Sequence, residues 1–146
     1  MVRILFDTNI IVAALSEDHE MYDLCLPWLE RVQIDQVVEG FISTHSLAEC
    51  YSILTRMPPP YRINPVTADR LLTNNLSRFT KISLTNEDYQ VAIRRIVRLN
   101  IAGGGIYDAL IAEAALKANV DSLLTFNARH FIRLGTEVAQ LVQIPS

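Results

Sequence analysis

Cysteine is scarce in this chain: it has two, Cys25 and Cys50, with no CxxC pair and no further thiol from which a disulfide framework could be built. That scarcity argues against a disulfide-stapled scaffold and predicts a reducing, cytoplasmic setting. An excess of positive charge is missing as well, since 13 Lys and Arg stand against 16 Asp and Glu for a net charge of −3. No basic field is available to grip a long stretch of nucleic acid by charge alone, so any such contact must be local. Long hydrophobic runs are absent too. Nothing approaches the eighteen or so apolar residues of a membrane span, and the N-terminus carries only Arg3 before a short apolar run broken by Asp7. The expectation is a mature, soluble protein with no membrane contact. The three histidines, His19, His45 and His130, show no ligand spacing, which argues against zinc.

What is present is ordinary globular composition, 146 residues at 50% apolar and 20% charged, predicting one domain over residues 1–146 with a real core. Val2 to Phe6 is nearly all apolar, as suits a strand buried on both faces of a parallel sheet. Met21, Leu24, Cys25, Trp28, Leu29 and Val32 recur at helical spacing, with Pro27 as an expected kink or break. A strand over 40–43 then feeds a helix from Thr44 with the stripe Leu47, Cys50, Tyr51 and Leu54. The run "MPPPYRINP" must be a loop, because prolines remove donors and bias the preceding residue out of helical dihedrals. Further on, the pattern predicts helices over 65–76, 86–99, 106–118 and 128–134 and strands over 79–84, 121–125 and 139–144. Thr85 with Asp88 three residues later is a capping-box pattern, and the glycines at 103–105 are expected to end one helix before the next begins. Strands alternating with helices imply a three-layer α/β/α sandwich with a central, mainly parallel sheet.

Ligands of such sheets bind beyond the carboxyl ends of the strands, and Asp7 sits at one of those ends. Asp7, Thr8 and Asn9 are also good capping residues, so capping of the following helix explains Asp7 equally well when it is taken alone. Glu49 points away from the apolar stripe of its helix, on the side of His45 and Arg56; a capping box with Ser46, or a solvated face, explains it too. Glu113 and Lys117 form an i,i+4 pair that marks the wet side of the 106–118 helix, which would direct Asp108 inward. A carboxylate placed there needs either a cation or the helix N-terminus to compensate it. Thr125 and Asn127 lie at another strand's carboxyl end. Four segments thus bring oxygen ligands to one edge of the sheet, a set that suits Mg²⁺ or Mn²⁺ and, through them, work on phosphates.

The segments "ILFDTNIIVAAL", "ISTHSLAECYSILTR" and "GGGIYDALIAEAALKANVDSLLTFNARHF" resemble, in order and over essentially the whole chain, the PIN-domain nucleases, specifically the VapC-type toxins of toxin–antitoxin pairs. The resemblance implies a Mg²⁺-dependent endoribonuclease, with Asp7, Glu49 and Asp108 as the acidic metal-binding positions and Thr125 as the hydroxyl that supports them. Asn127 matches a fourth position that is often acidic; lacking charge, it makes a second ion weaker or absent. On this reading Asp7 and Asp108 hold the ion, Glu49 holds it or orients the attacking water, and Thr8, Asn9, Thr125 and Asn127 support the set through hydrogen bonds. Arg129 and His130 stand ready for a phosphate, whereas Arg94, Arg95 and Arg98 read as a solvated face. The resemblance further implies an RNA substrate, a small antitoxin bound among the N-terminal helices, where the Met21 to Leu29 stripe is core and in part interface, and a homodimer. Two rival readings are weighed. A haloacid-dehalogenase-like phosphatase needs a second Asp where Asn9 stands. A non-catalytic PIN-like scaffold binding RNA or protein has no need of three mutually repelling carboxylates.

Overall fold

A computed structural model describes residues 1–146. Strand β1 (Val2–Phe6) runs into helix α1 (Thr8–Leu15), followed by α2 (Tyr22–Gln33), β2 (Val38–Ser43), α3 (Thr44–Arg56) and α4 (Pro65–Asn75). The second half runs β3 (Thr80–Ile82), α5 (Asn86–Arg98), α6 (Gly105–Lys117), β4 (Ser122–Leu124), α7 (Ala128–Ile132), α8 (Thr136–Ala139) and β5 (Val142–Gln143). The five strands form one sheet in the order β3-β2-β1-β4-β5, and every pairing is parallel.

The two-residue period of the strands divides the core between the two faces. Ile4 and Phe6 of β1, Val38 and Ile42 of β2 and Leu124 of β4 pack with α1 to α4, joined by Ile10, Cys25, Trp28, Leu54 and Phe79. Leu5, Phe41 and Leu123 point the other way, against Ala92 and Ile96 of α5, Leu110 and Ile111 of α6, Phe131 and Val138. Both faces being covered is the reason these strands carry continuous apolar runs. Gly40 lies where α2 comes closest to the sheet: a Cβ there would stand 2.7 Å from Val32 Cγ1 and 2.9 Å from Phe79 Cε2.

Several sequence expectations change in detail. Pro27 is accommodated within α2, which continues to Gln33. The left-handed residue that terminates α5 is Asn100 (φ 54°), with Ile101 N–H reaching back to Ile96 C=O at 2.9 Å, so the helix ends before the glycines; Gly103 (φ 65°) serves the turn after it. Strands at the sheet edges are short, with β3 and β5 confined to 80–82 and 142–143, and a short helix α8 winds over residues 136–139, taking in the first residue of the strand expected over 139–144. Met21 to Leu29 is core as expected, with Cys25, Trp28 and Leu29 buried.

Candidate active site

In the order β3-β2-β1-β4-β5 the chain fans out in both directions from β1, so the crevice beyond the carboxyl ends of β1 and β4 is the topological switch point. Asp7 follows β1 and is 4% exposed. Its backbone N–H donates to Leu124 C=O at 2.9 Å, tying it to the end of β4. One carboxylate oxygen, Oδ1, accepts from the Thr8 N–H at 2.7 Å, so Asp7 is the N-cap of α1 after all. The other, Oδ2, accepts from the Thr125 hydroxyl at 2.6 Å, and Thr125 Oγ1 in turn accepts the Asn127 N–H at 2.9 Å. Capping and site membership are therefore compatible.

Burial pushes the Asp7 carboxyl from 3.8 up to about 6, against the pull of Thr125 and the Thr8 N–H, with the charges of Asp108 and Glu49 raising it further. Asp108, at the start of α6, is also raised, first by burial and then by Glu49, against the lowering influence of His130, Arg133 and His45. These mutual effects put the three carboxylates in one electrostatic neighbourhood. Glu49 Oε1 accepts from the Thr8 hydroxyl at 2.8 Å and stands 3.4 Å from His45 Nε2, which nevertheless has no hydrogen-bond partner. His130 Nδ1 lies 3.6 Å from Asp108 Oδ2. Asn127 is exposed, as is Arg129, which forms no ion pair. A cavity of about 600 Å³, between the α1–α2 and α3–α4 connections, is lined by Leu15 to Glu20, Met57 and Pro60 to Ile63 and includes none of these residues.

Three of the local explanations offered by the sequence fail. Ser46 does not cap α3: Ser43 does, accepting the Ser46 N–H at 3.0 Å, so Glu49 is not part of a capping box. The Glu113–Lys117 pair does not form. Glu113 is buried against Arg95 at 3.2 Å while Lys117 bonds Asp88 at 2.8 Å, because α6 is enclosed on nearly every side and has no broad wet face. For the same reason Arg95 is not on a solvated face; it is buried between Glu113, Glu137 and Leu134 C=O. Sequence reasoning noticed His45 and Arg56 beside Glu49 but missed Tyr107 and Arg133, whose signal was their position one residue before Asp108 and four after Arg129.

The PIN domain family model matches residues 4–137. Ribonuclease VapC27 of Mycobacterium tuberculosis is 32% identical over 123 residues, covering 84% of this chain and 83% of that one. Ribonuclease VapC40 of the same species is 31% identical over 135 residues, covering 90% and 94%. This chain belongs to the PIN-domain family, among the VapC ribonucleases. Solved structures share the fold: VapBC2 from Rickettsia felis, bound to a promoter DNA fragment, superposes with a TM-score of 0.68 at 21% identity, covering 99% of this chain and 100% of that one. VapC20 of M. tuberculosis, a toxin that cleaves the sarcin-ricin loop, gives 0.68 at 16% identity over 87% and 92%.

The donor set fits a hard cation. It is all oxygen, its most buried member is a carboxyl raised above its ordinary range by burial and by the neighbouring Asp108 and Glu49 charges, and Asn9, two residues after Asp7, keeps a buried Oδ1 without a hydrogen-bond partner. No three of these acidic or imidazole groups close around a single point, however. The arrangement suits an ion that keeps several of its waters better than one caged entirely by protein.

Proposed function

We propose that this VapC-family ribonuclease hydrolyses RNA phosphodiester bonds with Mg²⁺ or Mn²⁺ held by Asp7, Glu49 and Asp108. The observation that carries this reading is the Asp7 carboxyl, buried at the switch point of the sheet with both oxygens held by the Thr8 N–H and the Thr125 hydroxyl, and with Glu49 joined to it through Thr8. A protein without a cation there would be more stable lacking that charge. When bound, the ion would supply Lewis acidity toward the scissile phosphoryl group and a more acidic water. Thr125 and the Thr8 N–H fix both oxygens of Asp7, so its orientation is set before any ligand arrives. Glu49, held by Thr8 yet open to solvent, is placed to accept a proton from the attacking water. Asn9, two residues after Asp7, has an unpartnered side-chain oxygen that could accept from a water held by the ion. Asn127 contributes a neutral amide at the rim, His130 faces Asp108, and Arg129 offers an unpaired guanidinium to a phosphate.

The biological setting that goes with this reading is a toxin–antitoxin pair, with a small antitoxin as protein partner and a homodimer as the toxin's assembly.

Thermal unfolding with added Mn²⁺ or Mg²⁺ tests the metal assignment. Ligand at about a hundred times its Kd stabilises a protein by about 2.7 kcal/mol, a shift of several degrees. The upward shift is expected in the native chain and should vanish in Asp108→Asn. An absent metal response favours the scaffold reading, whereas one that survives Asp108→Asn removes that residue from the metal assignment.

A further inference from the structure

Beside Glu49 a second cleft of about 430 Å³ opens on the outer side of α3, lined by His45, Glu49, Ser52, Ile53, Arg56 and Tyr107. Two of its lining residues are aromatic rings. His45 from α3 and Tyr107 from α6 are stacked with an offset, ring centroids 5.3 Å apart and planes within 4°. Each ring belongs to the same turn as a carboxylate, since His45 is four residues before Glu49 on one helix face and Tyr107 immediately precedes Asp108. The stack therefore bridges the two helices that carry those carboxylates. Tyr107 nonetheless remains 53% exposed, so His45 covers part of the phenol and leaves the rest to solvent.

Arg56 lines the same cleft. It is exposed, and no acidic side chain lies within ion-pair distance of it. A polyanion approaching a chain of net charge −3, toward a cluster of carboxylates, needs local cations of this kind. An exposed ring beside an unpaired guanidinium is the pairing that single-stranded nucleic acid requires, an aromatic face for a base and a cation for the adjacent phosphate. A paired base has both of its faces occupied within the helix and cannot use the ring.

We propose that this cleft is a nucleotide subsite in which Tyr107, backed by His45, stacks an unpaired base next to the scissile bond while Arg56 takes a flanking phosphate. The inference rests on the ribonuclease reading for its substrate class and adds that the RNA must be unpaired at this nucleotide. Tyr107 and Arg56 are substrate-binding residues in this scheme, and His45 positions the ring.

The test is fluorescence quenching of a short uridine-rich oligoribonucleotide carrying one central 2-aminopurine, bound to protein carrying Asp7→Asn so that the RNA stays intact. Quenching on binding is expected. Adding Tyr107→Leu should abolish the quench and weaken binding about ten-fold, the equivalent of one base–aromatic stack, while Tyr107→Phe, which keeps the ring, should restore both. Arg56→Ala should weaken binding and leave the quench at saturation. The same oligonucleotide annealed to its complement should show no Tyr107-dependent change. Quenching that is indifferent to Tyr107→Leu, or equal for single-stranded and duplex probe, overturns the subsite. Its fate is separable from that of the nuclease: Tyr107-dependent quenching in a chain that cuts no RNA retains the subsite and removes the activity, whereas metal-dependent cutting with Tyr107-independent quenching does the reverse.

Discussion

Asp7 is where the residue scale is most telling, because a single carboxylate is both the N-cap of α1 and the most buried acid in the chain. Its pKa has a consequence for stability. With a folded value of about 6 above an ordinary 3.8, the folded state binds the proton more tightly than the unfolded chain, so the extra stability is complete below about pH 4 and is lost as pH rises through about 6. The metal-free protein should thus lose on the order of 3 kcal/mol from this group between those limits, at 1.36 kcal/mol per pKa unit. Urea unfolding in EDTA across that range measures it. Asp7→Asn should flatten that part of the profile; an unchanged slope would place the carboxyl in a less hostile environment than the structure gives it. A second expectation concerns Asn127, which is exposed and whose backbone N–H bonds the Thr125 hydroxyl oxygen. Asn127→Asp should tighten Mn²⁺ binding in a titration, and no change would put this position outside the metal's reach.

Among the elements, α6 is the one whose sequence pattern misled. Glu113 and Lys117 are spaced as an exposed pair, and nothing local distinguishes them from one. What decides their roles is tertiary: α5 lays Arg95 across α6, capturing Glu113, and Asp88 of the α5 capping box captures Lys117. Arg95→Ala would leave the Glu113 carboxylate buried without its partner. The expected cost is about 3 kcal/mol in urea unfolding, whereas Glu137→Gln, at the exposed end of the same network, should cost under about 1 kcal/mol. Equal effects would mean that Glu113 is better solvated than it appears between these helices. Elements whose signals are local were legible: β1 by its apolar run, α5 by Thr85 and Asp88, and the proline-rich break after α3. The edge strands β3 and β5 were legible in place and not in extent, because their length depends on how much of the neighbouring strand remains to pair with.

At the level of the whole molecule, the parallel sheet with its switch between β1 and β4 collects residues 7, 49, 108 and 125 from four distant segments. The positions were readable because strand ends and α/β alternation are sequence features. The cleft formed by Tyr107 and Arg56 was not, since α3 and α6 meet there only through the fold. The central claim is that these carboxylates hold the ion with which the chain cuts RNA. Its most direct test is incubation of end-labelled structured RNAs with the purified, partner-free protein in Mg²⁺ or Mn²⁺ against EDTA, beside Asp7→Asn prepared identically. Cutting that requires the metal and disappears in the variant is the predicted result. Identical behaviour of the two folded proteins, in metal and in EDTA alike, would contradict the account and leave a binding scaffold in its place.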